Sequence, residues 1–279
     1  VSGLYDPSGG VRGGRSGAGE VASLNHTLRA RAVRPDGTWL LQAYATATGT
    51  KQNVVALRRH GWGFVYTPDD QARPGGADLP YFLDNGAWGC FCKGHPFDPD
   101  AFRGLLAKYG AGADFVVVPD IVGGGRASLD LSRSWLDELL VAVACPILIP
   151  VQEGMTPTDF DRLPLGARVG LFVGGAPSNE DTRYEGEPEW KELTLPVWGT
   201  LAREAGCWLH VGRVNTARRI HLCLPWAHSF DGTSASKYAK NVGLLDRARK
   251  ARVAPPFRGP RVLDVPIPSG GTPSVQHGA

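Results

Sequence analysis

Short apolar runs alternate along the chain with longer segments whose apolar residues recur every three or four positions. The runs at 40–45, 63–66, 81–83, 115–118, 147–151, 169–173, 208–211 and 227–230 are of strand length and mostly rich in Val, Ile, Leu and Phe. Helices are predicted over 51–60, 101–109, 128–144, 189–204, 216–223 and 236–250, with a shorter one near 158–163. In 128–144, Leu129, Ser132, Trp135, Leu136, Leu139 and Leu140 share one stripe. In 189–204, Trp190, Leu193, Val197, Trp198 and Leu201 do the same, and Pro196 predicts a kink. The connection over 67–80 is polar and rich in Gly and Pro, so no full helix is expected there. Near-continuous apolar strands imply a parallel sheet covered on both faces. Eight strand units with intervening helices predict an α/β fold closed as a (β/α)8 barrel of the TIM type.

The ends lack this pattern. Residues 1–37 are rich in Gly, Arg and Ser and read as an irregular N-terminal arm; 253–279 are rich in Pro and Gly and read as an irregular C-terminal tail. The barrel then occupies 38–252 as a single catalytic domain. A chain of 279 residues with 42% hydrophobic content is the right size for one such barrel. The net charge of +3 permits a nucleic-acid partner without demanding one. Five irregularly spaced cysteines suggest no disulfide framework, so a reducing, cytoplasmic compartment is expected. No stretch of about 18 apolar residues occurs, and no membrane partner is expected. Nor does the start carry a basic segment followed by an apolar one, as a secretion signal would.

Chemistry concentrates where strands end. Asp84-Asn85-Gly86, Pro119-Asp120, Gln152-Glu153-Gly154, Gly174-Gly175, Gly212-Arg213-Val214-Asn215 and Asp231-Gly232-Thr233 each follow or close a predicted strand. In a barrel these ends share one face, where the active sites of the fold sit. Any one such Asp could equally cap the next helix; six polar groups together point to a cavity. Two facing carboxylates suit a double displacement at a sugar carbon, one attacking and one moving protons. A third carboxylate beside an amide and backbone N–H groups could read a purine edge, since guanine offers N1–H and N2–H donors and an O6 acceptor.

At these residues the sequence resembles the queuine/archaeosine tRNA-guanine transglycosylase superfamily, from about Tyr81 to Ser236. Leu83-Asp84-Asn85-Gly86-Ala87-Trp88 is similar to the family's Asp-Ser-Gly-Gly-Phe-Gln segment. Val118-Pro119-Asp120, Val151-Gln152-Glu153-Gly154 and Phe172-Val173-Gly174-Gly175 are similar to its base-binding segments. Leu209-His210-Val211-Gly212-Arg213-Val214, then Arg218-Arg219-Ile220 and His228-Ser229-Phe230-Asp231, are similar to its strand, glycine turn, helix and Phe-Asp nucleophile. The resemblance implies Asp231 as nucleophile, Asp84 as general acid/base, and Asp120, Gln152, Gly174, Gly175 and Gly212 as base-binding residues. The family's zinc site of three Cys and one His comes after its nucleophile, whereas here no Cys lies beyond Cys223. A compact, zinc-free member is similar to the phage and bacterial branch acting on DNA. The resemblance therefore implies a pentosyltransferase that exchanges guanine in DNA for a 7-deazaguanine, expected to be the 7-cyano form, in a bacterial or phage-infected cell, where the modification would evade restriction. Alternatives are the tRNA enzyme of the same chemistry, a guanine N-glycosidase, and a non-catalytic nucleic-acid-binding barrel. Expected partners are DNA, or tRNA, and the free base, with room for an accessory protein that opens the duplex. No cofactor is expected.

Other residues have plainer explanations. Cys90-Phe91-Cys92 with His95 offers at most three ligands where structural zinc wants four, so no metal is expected. Cys145, Cys207 and Cys223 sit among apolar neighbours. His210 and His228 line the pocket or pack in the core. Gly123-Gly124-Gly125-Arg126 resembles a phosphate-cradling loop without the P-loop Lys-Ser/Thr. Arg213, Arg218, Arg219, Lys237 and Lys240 are candidate phosphate contacts, with Arg247, Arg249, Lys250, Arg252, Arg258 and Arg261 further on; a solvated helix face is the plainer reading. Trp62, Trp88 and Trp226 either stack on a base or pack in the core.

Overall fold

The computed structural model describes residues 40–69, 78–174 and 190–251. The arm over 1–37, the tail over 253–279, Arg252 and Gly175 lie outside the described residues. Eight parallel strands pair in chain order and close into a barrel: β1 (Gln42–Thr46), β2 (Gly63–Tyr66), β3 (Tyr81–Leu83), β4 (Val116–Val117), β5 (Ile147–Val151), β6 (Val169–Val173), β7 (Leu209–Val211) and β8 (Ser229–Gly232). The closing pair places Tyr44 of β1 beside Asp231 of β8. This is the predicted (β/α)8 architecture. Helices on the outside are α1 (Lys51–His60), α2 (Ala87–Lys93), α3 (Pro99–Tyr109), α4 (Arg126–Ala142), α5 (Trp190–Ala205), α6 (Ala217–Cys223), α7 (Ser234–Lys237) and α8 (Ala239–Arg249). A 3-10 turn, Pro157–Phe160, takes the place of the short helix expected near 158–163.

Three departures have local causes. Helix α2 arises where only a strand end was expected: Gly86, at a left-handed φ of 80°, is its N-cap, and Asn85 Oδ1 just before it accepts the Ala87 N–H at 2.7 Å. Helix α3 begins two residues early, with Pro99 in its first turn and Asp98 accepting from the N–H groups of Asp100 and Ala101. The last predicted helix is divided at Tyr238, whose extended backbone separates α7 from α8. Helix α5 continues through Pro196, where Thr200 Oγ1 donates to the Pro196 carbonyl.

Strand alternation sorts the side chains into two compartments. Outward positions such as Ala45, Leu83, Val116, Ile149, Val173, Leu209 and Phe230 pack with the helices in the main core. Inward positions Tyr44, Val65, Phe82, Phe115, Val117 and Leu148, with Phe172 and Trp208, fill the barrel lumen. Each fully buried side chain of this size contributes about 1.5–3 kcal/mol. The same two-residue period, extended toward the strand ends, leads from Phe82 to Asp84, from Leu148 through Pro150 to Gln152, from Phe172 to Gly174, and from Ser229 to Asp231. The polar groups are therefore the top layer of the lumen.

The seam between first strand and last helix is closed by charge. Arg249, 2% exposed, donates to Asp246 at 2.7 Å, to the Leu41 carbonyl just before β1, and to the His60 carbonyl at the end of α1. Asp246 also pairs with His60 and Lys250. Arg249 and Lys250, grouped above with candidate phosphate contacts, are thus structural.

Candidate functional site at the barrel mouth

A cavity of about 310 Å³ opens at the C-terminal ends of the strands, within the usual range of about 300–1,000 Å³ for small-molecule sites. Asp84, Asp120, Gln152, Gly174, Gly212, Arg213 and Asp231 all line it. Apolar walls come from Phe82, Val117, Pro150 and Phe172, and the rim from Trp88 and Thr233. A neighbouring hollow of about 480 Å³ shares Asp69, Asn85 and Gly86 with it.

Asp120 is gripped from both sides. Its Oδ1 accepts from Asn85 Nδ2 at 2.8 Å and its Oδ2 from Gln152 Nε2 at 2.6 Å. Asn85 is itself fixed by a second bond to the Val118 carbonyl, and Gln152 Oε1 accepts the Gly125 N–H at 3.2 Å. Asp120 nevertheless titrates at about 6, because burial outweighs the two amide donors. Asp84 rises further, to about 7: burial is the largest cause, then the negative charges of Asp120 and Asp231, against smaller help from the Asn85 and Gly86 N–H groups. A carboxyl in that range can give or take a proton near neutrality.

Asp231, whose side chain is 15% exposed, is held by His210 Nε2 at 3.0 Å. The Arg213 N–H lies 3.4 Å from the same oxygen. Gly212 has to be glycine: a Cβ there would sit 2.7 Å from Phe172 Cζ and 3.4 Å from Asp231 Oδ1. Next to it, Arg213 adopts a left-handed φ of 61°, rare for a residue with a side chain. Its guanidinium lies 4.1 Å over the Trp88 ring, which stacks in turn on Phe91.

Glycine backbone was expected to donate to a purine carbonyl, and here the structure corrects the expectation. The Gly174 N–H is committed to the Val151 carbonyl and the Gly212 N–H to the Val173 carbonyl. Parallel pairing runs one step past the strands and consumes both donors. The Gly212 carbonyl accepts Lys191 Nζ at 2.7 Å. Gln152 keeps one amide N–H beyond the one given to Asp120.

The remaining candidates separate. Arg218 is bound to Glu192 through two bonds of 2.6 and 2.8 Å, and Arg219 lines a small hollow behind β7. Lys237 and Lys240 are exposed on and after α7, just beyond Thr233. Arg126 pairs with Asp159 at 2.9 Å, so the Gly-rich loop orients Gln152 through Gly125 while its arginine serves an ion pair. Trp62 is fully buried against Phe230, and Trp226 packs against Gly199 and Arg203; Trp88 alone of the three reaches the rim. His228 accepts the Leu209 N–H and stacks on Trp208. Among the described residues, no group of three or more His, Cys, Asp or Glu is arranged to hold a metal, and no helix is long and apolar enough to cross a membrane.

Sequence reasoning missed the grip of Asn85 on Asp120 and gave His210 no role beside Asp231. Inward parity with Asp231's own strand neighbour was the available signal for His210; nothing in the sequence pairs positions 85 and 120.

No protein-family model and no curated protein matches the chain. Among solved structures, tryptophan synthase from Mycobacterium tuberculosis in a ligand-free form is 13% identical, with 82% of this chain and 96% of that one covered and a TM-score of 0.47. The protein CitE from M. tuberculosis, in complex with magnesium and acetate, is 9% identical over 77% and 93% of the two chains, with a TM-score of 0.43. A mutant tryptophan synthase alpha-subunit from Pyrococcus furiosus is 13% identical over 75% and 95%, with a TM-score of 0.42.

Proposed function

We propose that the protein is a glycosyltransferase that exchanges guanine in DNA for a 7-deazaguanine through a covalent aspartyl–sugar intermediate. The observation that carries this reading is the shared cavity in which Asp84, raised to about 7, feels the charges of both Asp120 and Asp231. One group can shuttle a proton, one is clamped to receive donors, and one is free to attack.

The target nucleotide leaves the base stack, because its C1′–N9 bond is otherwise hidden. Asp120 accepts from guanine N1–H and N2–H, and the spare Gln152 N–H donates to O6. Asp231 forms a bond to C1′ as the C1′–N9 bond breaks, and the electron pair departing on N9 takes the proton of Asp84. The incoming 7-deazaguanine gives its N9 proton to Asp84 and displaces Asp231 from C1′, with the bond pair returning to the carboxylate. Arg213 and the Trp88–Phe91 pair at the rim suit a phosphate and a neighbouring base. DNA is chosen over tRNA on the resemblance to the zinc-free branch.

The test is an exchange assay with purified protein and labelled guanine, offered duplex DNA, single-stranded DNA and tRNA in parallel, with Asp231→Ala as control. Label entering DNA and lost in the variant is expected. Label entering tRNA alone would transfer the chemistry to that polymer; release of guanine without an incoming base would make the protein an N-glycosidase.

A further inference from the structure

His210 is enclosed in the lumen with no exposed surface. Phe172 stacks on its ring at 5.0 Å and 19°, and Tyr44, Phe82 and Phe115 surround it. Both ring nitrogens have partners: Nε2 lies 3.0 Å from Asp231 Oδ1, and Nδ1 lies 2.7 Å from Ser229 Oγ. The same hydroxyl oxygen accepts from Trp208 Nε1 at 2.8 Å.

The chemistry of each group fixes the proton positions. An indole N–H only donates, and an ionised carboxylate only accepts. Burial holds the imidazole below its usual pKa, against the pull of Asp231, and so neutral with a single N–H. That N–H sits on Nε2, because Asp231 needs a donor. Nδ1 must then accept, and the Ser229 hydroxyl must donate to it. The bonds therefore run one way, from Trp208 to Ser229 to His210 to Asp231. They end on Oδ1, whereas Oδ2 has no hydrogen-bond partner among the described residues.

We propose that Trp208, Ser229 and His210 form a positioning relay that anchors Asp231 by Oδ1 and reserves Oδ2 for attack on the sugar carbon. The proposal rests on Asp231 being the nucleophile. It also gives the two half-reactions different sensitivities. In the ester, Oδ1 has become a neutral carbonyl oxygen and accepts weakly from Nε2–H. When C1′–Oδ2 breaks, charge returns to the carboxylate and that bond regains strength. The relay therefore favours breakdown of the intermediate over its formation.

The experiment has two parts. Nitrogen-15 NMR of the wild-type protein reads the His210 tautomer directly. A neutral ring protonated on Nε2 at pH 7–8 is expected; protonation on Nδ1, or an imidazolium in that range, would overturn the relay whatever the enzyme's substrate. Single-turnover trapping then tracks the ester by intact mass in wild type, His210→Leu and His210→Gln, the last retaining a side-chain N–H donor. Ester breakdown is expected to slow on the order of 10- to 100-fold in His210→Leu, the worth of one hydrogen bond to a charge. Ester should accumulate, guanine affinity should hold, and His210→Gln should recover part of the rate. Unchanged breakdown in folded His210→Leu sinks the relay alone, whereas absence of ester in the wild type removes the nucleophile and the relay with it. If His210→Leu does not fold, His210→Gln breakdown slower than wild type by no more than about 10-fold is the supporting result, and a full loss overturns the donor role.

Discussion

On the β3–β5 side of the mouth, Asp120 takes one amide N–H on each oxygen and is still driven up to about 6. On the β7–β8 side, Asp231 takes its short bond from a buried imidazole on one oxygen only. Neutral amides on both oxygens leave a carboxylate that is fixed in place, with further lone pairs turned to other donors; that suits recognition. A single anchored oxygen leaves the other available for bonding; that suits attack. Asp84 stands between, with backbone donors only, and burial beside two acids lifts it above Asp120. The number and kind of donors, more than the residue type, distinguishes three chemically identical side chains, and in the proposed reaction that difference divides the labour among them.

The sharpest way to break this contrast is Asp231→Asn. Exchange should fall by at least about 10⁴-fold, with no trapped ester by mass spectrometry; substantial turnover would move the nucleophile elsewhere. Asp84→Asn should cost about 10²–10⁴-fold in exchange while raising the melting temperature above pH 7. Both raised carboxyls bind more protons folded than unfolded, so they favour the fold below the unfolded value of 3.8 and progressively cease to as pH rises toward about 7. An amide at 84 removes that burden, and a lower melting temperature at pH 8 would contradict it. Wild-type exchange should trace a narrow bell. Its acid limb lies near 6, where Asp120 loses the charge that receives guanine, and its alkaline limb near 7, where Asp84 loses the proton it must give. Asp120→Asn should flatten the acid limb and weaken guanine binding by about 10- to 100-fold, measured by calorimetry. The smallest effect is expected at the rim. Arg213→Gly relieves the left-handed backbone and should stabilise the fold by about 1 kcal/mol in denaturant titrations, while reducing the salt dependence of DNA binding by about one phosphate contact.

Most of the barrel was legible in the sequence because period-two and period-3.6 patterns report burial directly. Strands at 63–66, 81–83, 147–151 and 169–173 and the helix at 51–60 agree with the structure residue for residue. Where local turn geometry decides, the pattern was silent: α2 starts at the left-handed Gly86 beside the bond from Asn85 Oδ1, and the break at Tyr238 falls on one extended residue. The site was legible in the same uneven way. Asp84, Asp120, Gln152 and Asp231 stand at strand ends and do line one cavity. Their partners cross between strands, as Asn85 does to Asp120 and His210 to Asp231, and such pairings depend on shear and register, which no short motif encodes. The same dependence misled the expectation for Gly174 and Gly212, whose N–H groups the neighbouring strands had already taken.

A ribosome delivers the chain from β1 onward, so the strands bearing Asp84, Asp120 and Gln152 emerge well before β8. Asp231 arrives on the strand that must find β1, and Arg249 of α8 then locks that seam through Leu41 and His60. In the proposed reaction, a nascent or frayed molecule would thus carry the groups assigned to the purine before it has the assigned nucleophile. Loosening the seam is then expected to abolish the proposed exchange before it abolishes base binding.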